Sequence, residues 1–310
     1  MSATVDATPP PRGMRISVRE LTVQAGDRVL LDNASAEFPA GEVILLLGCS
    51  GVGKSVLLRI IAGLVGRDRG GVRYSGTIAF TDAAGVVRDE TDNERPVAVV
   101  FQSFALLDEL TPHQNVQIAL DHARTRASQP SSEVEPHGIR ARSVHDGLPG
   151  NRASQLLTEL RVPTDRPTSV LSGGQQQRLA IARAIAPDGD VVLYDEPTSG
   201  LDTKTARQVA DLIRETQMRH QRTSILVTHD HETLTRIADR IILLDHAQQK
   251  LVELPREQWS HLAEALGDPP ASVSSMRRPT WQSRCNATAE QLLTGLGQFV
   301  EDLVMLPWSL

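Results

Sequence analysis

The sequence predicts an α/β fold with a mainly parallel sheet at its core, an N-terminal antiparallel β-subdomain and a helical subdomain. Three observations predict this fold: apolar strands alternate with helical segments, short alternating strands open the chain, and the strand signal is lost over residues 103–186. The chain has 310 residues, enough for one large domain or two ordinary ones. We therefore expect a single sheet-centred core with two smaller parts attached to it.

The N-terminal part of the chain predicts a small β-meander. Residues 1–13 contain three consecutive prolines and no apolar segment, so we expect a disordered lead-in rather than a secretory signal. Apolar residues alternate over 16–23, a turn follows at 25–28, and the strand pattern then resumes. A Pro-Ala-Gly turn at 39–41 leads into the next strand.

Residues 48–55 fit the phosphate-loop template of Gly, four residues, Gly, Lys and then Ser or Thr at every required position. An apolar strand over 43–47 runs into this loop and a helix-like segment over 56–62 leaves it. The glycines allow a tight loop whose N–H groups face a polyphosphate, while Lys54 reaches the outer phosphates and Ser55 can ligate magnesium. The predicted nucleotide contacts are Gly48, Cys49, Ser50, Gly51, Val52, Gly53, Lys54 and Ser55.

The rest of the chain alternates strands with helices, which predicts a mainly parallel sheet covered on both faces. Residues 76–80 and 86–87 predict a hairpin, and residues 96–101 predict a buried strand. Residues 128–150, rich in Pro, Ser and Gly, predict a flexible insertion within the helical subdomain. Further strands, separated by helices, are predicted at 190–194, 224–227 and 240–244.

The C-terminal part differs in composition from the rest. Residues 267–286 are rich in Pro and Ser and predict a linker. Residues 287–310 place apolar side chains at helical spacing opposite an acidic face, which predicts an amphipathic helix. We expect this helix to contact a protein groove or to fold back on its own domain, because its polar face lacks the Lys and Arg that favour anionic lipid.

Composition excludes several classes of protein. The formal net charge is −6, so no strongly basic surface is evident and no nucleic-acid partner is expected. Two cysteines imply neither a disulfide framework nor a zinc cluster, and they suit a reducing cytosol. Cys49 either fills a variable loop position, which is the simpler interpretation, or senses redox state. No apolar run approaches the roughly 18 residues that a membrane-spanning helix needs.

Further motifs turn the general nucleotide site into a specific one. The segments 171–178 (Leu-Ser-Gly-Gly-Gln-Gln-Gln-Arg) and 191–196 (Val-Val-Leu-Tyr-Asp-Glu) resemble the signature and Walker B motifs of the ABC transporter ATPases. Gln102 resembles the Q-loop glutamine of that family, residues 199–202 its D-loop, and His229 its switch histidine. The resemblance implies a P-loop NTPase of ABC type over about residues 14–266, which binds ATP with Mg²⁺ and hydrolyses it.

Side chains at strand ends carry the predicted chemistry. Asp195 ends an apolar strand at the edge where parallel sheets bind ligands, so its carboxylate can help to hold magnesium opposite Ser55. Glu196 follows it and can act as the general base that polarises the attacking water. The resemblance implies that His229 contacts the γ-phosphate and that Gln102 links the magnesium and the attacking water to movement of the helical subdomain.

The signature residues form a second anion site at the start of a helix. Ser172, Gly173 and Gly174 precede a helix-like run, whose N-terminus favours negative charge. In the family this element closes over the nucleotide of a second subunit, so the resemblance implies a head-to-tail homodimer with two ATP sites. One departure is Ala25, which occupies the position where the family often stacks an aromatic residue on adenine.

The segment 101–111 lies where members of the family contact a membrane permease. Its sequence resembles that of ATPases from lipid-handling Mla/Mce-type systems. The resemblance implies a transport ATPase with lipid as its cargo, held through a permease at the cytoplasmic face of the cell membrane. The alternatives are a soluble ABC-type mechanochemical ATPase, which usually carries two cassettes or a long coiled coil, and a regulatory module that no longer hydrolyses ATP. The intact Walker B and signature motifs disfavour the regulatory module.

Overall fold

The structure, a computed structural model, describes residues 13–69, 71–89, 97–128 and 149–262. Strands and helices are numbered separately along the chain. The strands are β1 (Arg15–Ala25), β2 (Arg28–Phe38), β3 (Val43–Leu47), β4 (Asp68–Arg69), β5 (Val72–Thr81), β6 (Val87–Asp89), β7 (Val97–Val100), β8 (Val191–Asp195), β9 (Thr223–Val227), β10 (Arg240–Asp245) and β11 (Lys250–Glu253). The helices are α1 (Lys54–Ile61), α2 (Pro112–Ser128), α3 (Pro149–Glu159), α4 (Gly173–Ile185), α5 (Thr203–His220) and α6 (His231–Leu234).

The N-terminal strands form the predicted antiparallel sheet, in the order β2-β1-β5-β4, with β6 paired to β5. The predicted hairpin of residues 76–80 and 86–87 is the β5–β6 pair, in which Phe80 lies opposite Arg88. Gly76 has φ +106° because β1 bulges opposite it, and a Cβ there would lie 2.6 Å from the Glu20 carbonyl oxygen. Only glycine fits so close to the neighbouring backbone.

The central sheet has the order β11-β10-β3-β9-β8-β7, and its strands are parallel except for the antiparallel pair β10–β11. Two details differ from the sequence expectation. Strand β7, predicted to be buried, forms one end of the sheet, so that Val97 to Val99 are only half-buried and Val100 alone is buried. Strand β11 was not predicted, because its short run of Lys, Leu, Val and Glu carries no strong apolar signal.

The central sheet is covered on both faces, as predicted. Successive residues of β3 point to opposite faces: Val43, Leu45 and Leu47 join one apolar cluster, whereas Ile44 and Leu46 join the other. The first cluster is completed by apolar side chains of α2 to α6, and the second by α1 and the antiparallel sheet. This double burial explains why β3 is an uninterrupted apolar run.

Residues 103–186 contain α2, α3, a short 3-10 helix and α4, and no strand lies in the described part of this segment. The predicted insertion at 128–150 falls almost entirely outside the described residues, although Ser128 ends α2 and Pro149 begins α3. The predicted linker at 267–286 and helix at 287–310 also lie outside them. Among the described helices, none combines the length and apolar character required to cross a bilayer.

Candidate functional site

Four predicted site elements follow the carboxyl ends of four adjacent parallel strands. The phosphate loop follows β3, His229 lies shortly after β9, Asp195 ends β8 with Glu196 next to it, and Gln102 lies shortly after β7. Because β3, β9, β8 and β7 are neighbours in that order, all four elements meet along one edge of the sheet. This is the edge at which open parallel sheets bind ligands. Residues far apart in sequence thus form one site.

The phosphate loop depends on its glycines for shape. Gly48, Gly51 and Gly53 have φ values of +153°, +71° and +112°, which disfavour other residues. A Cβ on Gly48 would lie 2.9 Å from the Leu244 carbonyl oxygen, and one on Gly53 would lie 3.0 Å from Leu30 Cδ1. The loop is therefore tightly bounded by β10 and β2, and it delivers Lys54 to the first position of α1.

Lys54 lies buried inside the loop, with 7% of its surface exposed. Its Nζ donates hydrogen bonds to the carbonyl oxygens of Gly48 at 2.9 Å and Cys49 at 3.1 Å. Burial lowers the pKa of Lys54, and the electrostatic interactions with Glu196, Cys49 and Asp195 act in the opposite direction. The ammonium group thus lies in the field of both strand-end carboxylates, where it can receive the oxygens of a phosphate.

Ser55 and Asp195 are 140 positions apart in the sequence, yet Ser55 Oγ donates a hydrogen bond to Asp195 Oδ1 at 2.7 Å. Arg59 Nη2 lies 3.9 Å from the other carboxylate oxygen of Asp195. A hydroxyl and a carboxylate are the oxygen ligands that Mg²⁺ prefers, so the pair fits this ion. The described residues contain no group of three or more His, Cys, Asp or Glu side chains that could hold a metal by themselves. A cation here would need phosphate or water oxygens as its remaining ligands.

Glu196 and His229 form a close pair beside the loop. Glu196 Oε2 lies 2.8 Å from His229 Nδ1 and accepts the backbone N–H of His229 at 3.3 Å. Glu196 itself has φ +52°, and its N–H donates to the Val227 carbonyl oxygen at 2.9 Å. This left-handed conformation is uncommon for a non-glycine residue and turns the chain sharply after β8. The carboxylate is largely buried, whereas the imidazole is mostly exposed.

Gln102 lies at the same edge but does not bond to the predicted metal ligands in this structure. Its Nε2 donates a hydrogen bond to Ser199 Oγ at 3.3 Å, which joins the segment after β7 to the D-loop. Asp202 at the end of the D-loop caps α5 by accepting the N–H groups of Lys204 at 3.0 Å and Thr205 at 3.1 Å. Hydrogen bonds from Thr205 lower the pKa of Asp202, which keeps the cap charged.

The signature residues lie at the start of α4, against the D-loop and α5. A Cβ on Gly173 would lie 3.3 Å from Leu201 Cδ2, and one on Gly174 would lie 2.4 Å from Thr205 Cγ2. The backbone N–H of Ser172 donates to Gln175 Oε1 at 3.0 Å, which fixes the first turn of the helix. The N–H groups of Gly173 and Gly174 precede the first backbone hydrogen bonds of the helix, so this end of α4 can bind an anion.

Sequence reasoning missed two side chains around the site. Arg59 lies four positions after Ser55 on α1, so helical spacing could have placed both on the same face, towards Asp195. Arg28 Nη1 donates a hydrogen bond to the Gly51 carbonyl oxygen at 3.3 Å, and no sequence pattern links these two residues. Ala25, the position without an aromatic ring, ends β1 opposite Arg28 in the register of the hairpin.

The sequence profile described as ABC transporter matches residues 31–199, which is more than half of the chain. Similar curated proteins include the sulfate/thiosulfate import ATP-binding protein CysA of Burkholderia mallei, 39% identical over 82% of this chain and 66% of that protein. A second is CysA 1 of Chromobacterium violaceum, 38% identical over 82% of this chain and 65% of its own length. The chain thus spans just under two thirds of these relatives.

Solved structures agree with the sequence comparisons. The dimeric structure of MJ0796, a bacterial ABC transporter cassette, is 26% identical with a TM-score of 0.56, over 76% of this chain and 96% of that one. The structure of cbiO1 from Clostridium perfringens shares the fold with a TM-score of 0.60 at 24% identity, over 81% of this chain and 92% of that one. These matches confirm the predicted fold class. The chain belongs to the ABC transporter family.

Proposed function

We propose that the chain binds and hydrolyses ATP as the nucleotide-binding subunit of a transporter. The observation that carries this proposal is the Glu196–His229 pair, 2.8 Å apart, at the sheet edge that also holds Lys54 and Ser55. A general base that can accept a proton from water and a cation that can bind phosphate are thereby placed in one site. These are the parts that phosphoryl transfer to water requires.

Binding begins at the phosphate loop. Lys54 exchanges its hydrogen bonds to the loop carbonyl oxygens for bonds to the outer phosphates, and the loop N–H groups bind the remaining oxygens. Ser55 and Asp195, with Gln102 as the predicted third contact, would hold Mg²⁺. That ion would neutralise part of the negative charge on the phosphate oxygens.

Hydrolysis is assigned to Glu196, whose carboxylate is positioned by the backbone and ring of His229. The carboxylate accepts a proton from the attacking water as the new bond to phosphorus forms. His229 is mostly exposed, so its ring can reach the γ-phosphate while its Nδ1 stays next to Glu196. Both side chains follow neighbouring strands, which fixes their separation.

The first prediction is that Glu196→Gln retains ATP binding but lowers the ATPase turnover by about 10²–10⁴-fold, the usual contribution of a general base. The amide keeps the shape of the carboxylate and cannot accept the proton. Turnover is measured with purified protein at saturating ATP, and binding by calorimetry. Glu215→Gln, an exposed change of the same type on α5, is the control. Turnover of the Glu196 variant near that of the control would contradict the assignment.

We also propose that two copies assemble head to tail, so that the start of α4 in one copy covers the phosphate loop of the other. The dimeric structure of the similar cassette MJ0796 supports this assembly. A second support is the N-terminus of α4, an anion site that belongs to none of the four strand ends forming the phosphate site. A two-fold arrangement is the usual symmetry of identical subunits.

A permease is the proposed partner of the segment after Gln102, on the cytoplasmic side of the membrane. Phe104 and Ala105 have φ values of +62° and +48°, and Leu107 is 40% exposed. The Arg183 guanidinium donates to the Ala105 carbonyl oxygen and so ties this segment to the signature helix α4. A displacement of this segment by a membrane partner would therefore be transmitted to α4, the helix proposed to cover ATP.

The names of the relatives favour import of an oxyanion such as sulfate or thiosulfate. They do not support the predicted kinship with lipid-handling Mla/Mce-type systems. The permease, rather than the residues described here, selects the transported substrate. We therefore propose sulfate and thiosulfate as the first substrates to test.

Co-purification tests the transport assignment. The tagged full-length chain is expressed in its native host and isolated from detergent-solubilised membranes, and co-isolated integral proteins are identified by mass spectrometry. We expect a permease whose reconstituted complex shows ATPase activity that responds to sulfate or thiosulfate. A response to phospholipid instead would overturn the oxyanion proposal. Isolation of an active ATPase without any integral protein would favour the soluble mechanochemical alternative.

A further inference from the structure

The turn between β1 and β2 forms one side of the phosphate loop. Arg28 in this turn donates from Nη1 to the Gly51 carbonyl oxygen at 3.3 Å. Two positions further along β2, the buried Leu30 packs against Gly53, where its Cδ1 would lie 3.0 Å from an added Cβ. A nucleotide whose phosphates occupy the loop therefore has this turn as a neighbour, and the Arg28 guanidinium is held at the rim of the site.

A purine base presents a large flat face, and its binding gains most from a flat partner. Ala25 offers no ring at this turn. In the described part of the antiparallel sheet, the aromatic side chains are Phe38 and Phe80, both fully buried, and Tyr74, which is 8% exposed and lies under the Arg67 guanidinium. These rings belong to the core and are not free to stack on a ligand.

We propose that Arg28 provides the flat partner for the nucleotide base, by stacking its guanidinium plane on the purine. This inference rests on the proposed ATP-binding function. A guanidinium is planar, weakly hydrated and able to stack on bases and rings. Its hydrogen bond to Gly51 limits the orientations of the half-buried side chain, so less rotamer entropy is lost when the base binds.

Two other roles are possible for a cation in this position. Arg28 could attract phosphate by charge alone, or it could serve only to brace the loop through Gly51. Stacking requires both a base in the ligand and a planar group on the side chain. Attraction to phosphate requires only charge, and bracing affects every ligand of the loop equally. The three roles can therefore be separated by comparing ligands with and without a base, each in variants with and without the planar guanidinium.

The experiment is calorimetry on the full-length chain with two ligands, ADP and inorganic pyrophosphate, each with Mg²⁺. Arg28→Gln should weaken ADP binding by about 5- to 30-fold, which corresponds to the loss of a stacking contact with the base, and leave pyrophosphate binding unchanged. Arg28→Lys, which keeps the charge but loses the plane, should weaken ADP binding similarly. Adding Ala25→Tyr to Arg28→Gln should restore ADP affinity by supplying a ring. Arg19→Gln, the same charge change near the middle of β1, is the control.

Equal losses for ADP and pyrophosphate would overturn stacking in favour of bracing or phosphate attraction, as would full ADP affinity in Arg28→Lys. Unchanged ADP affinity in Arg28→Gln would overturn the inference while leaving the proposed function intact. If the wild-type chain bound neither ligand, or if Lys54→Ala bound both normally, the proposed nucleotide site itself would be wrong.

Discussion

Gly174 lies at a close contact between α4 and α5. A Cβ at this position would lie 2.4 Å from the methyl carbon of Thr205. The hydroxyl of Thr205 donates to Asp202 Oδ2 at 2.6 Å, so the threonine cannot rotate its methyl group away without losing that bond. The signature glycine is thus required by packing, independently of any role in binding nucleotide.

At this position, Gly174→Ala should lower the free energy of unfolding by about 1–3 kcal/mol through overpacking, although alanine has the higher helix propensity. Thr205→Ser removes the methyl and keeps the hydroxyl, so the double variant should recover most of the loss. Urea unfolding followed by circular dichroism measures both. A destabilisation that Thr205→Ser does not relieve would show that the close contact is not its cause.

The sequence predicted site residues whose role is carried by a local motif, and missed those that depend on tertiary contact. Lys54 and Ser55 follow from the loop template, and Asp195 from its place at the end of an apolar strand. By contrast, Asn115 is fully buried and bonds to the backbone of Leu107 and Thr111 and to Thr168 Oγ1. Nothing in its own helical segment distinguishes it from an exposed asparagine, because its burial depends on the preceding loop and on Thr168, 53 positions away.

Helices α3 and α5 meet through a group of charged side chains. The Nε2 atom of His220 lies 3.3 Å from Glu159 Oε1, and Arg219 Nη1 lies 3.1 Å from the same oxygen. Burial lowers the pKa of His220, as do the positive charges of Arg222 and, less strongly, Arg152, whereas Glu159 opposes the shift. The folded chain thus favours a neutral imidazole at the end of α5.

This shift predicts how stability depends on pH. Since the folded pKa lies below the unfolded value of about 6.5, the unfolded chain takes up the proton first as the pH falls. The contribution of His220 is therefore fully present above about pH 6.5 and is lost as the pH falls towards the folded pKa. His220→Gln should reduce the slope of urea midpoint against pH in this window. Parallel profiles for the two proteins would contradict the prediction.

The elements that sequence identified best are those buried on two faces. Strands β3, β8 and β9 are fully buried, so their apolar runs stand out. Strand β7 also reads as apolar, yet the sequence does not reveal that it lies at an end of the sheet. Strand order is a tertiary property: β3 lies between β9 and β10, which come much later in the chain, and hydrophobic periodicity carries no information on such pairing.

For the molecule as a whole, the proposed dimer makes Ser172 a contact with the nucleotide of the other copy. Ser172→Arg would place a long side chain in that interface, so ATPase turnover should fall by about 10²-fold or more, as when an anion-stabilising contact is lost. Binding of ADP to the phosphate loop should remain normal, because Ser172 precedes α4, whereas the loop precedes α1. Activity assays and calorimetry measure the two effects. Unchanged turnover would count against the shared site.

The position of β3 between β9 and β10 has a consequence for synthesis on the ribosome. Both sheet neighbours of the strand that leads into the phosphate loop come from residues 223–245, some of the last described residues to be translated. Because such long-range pairing must wait for both partners, a nascent chain ending before β9 would carry every motif except the switch histidine, and its phosphate loop would still lack both neighbouring strands. We expect nucleotide binding to arise late and abruptly during translation, after most of the chain has already emerged.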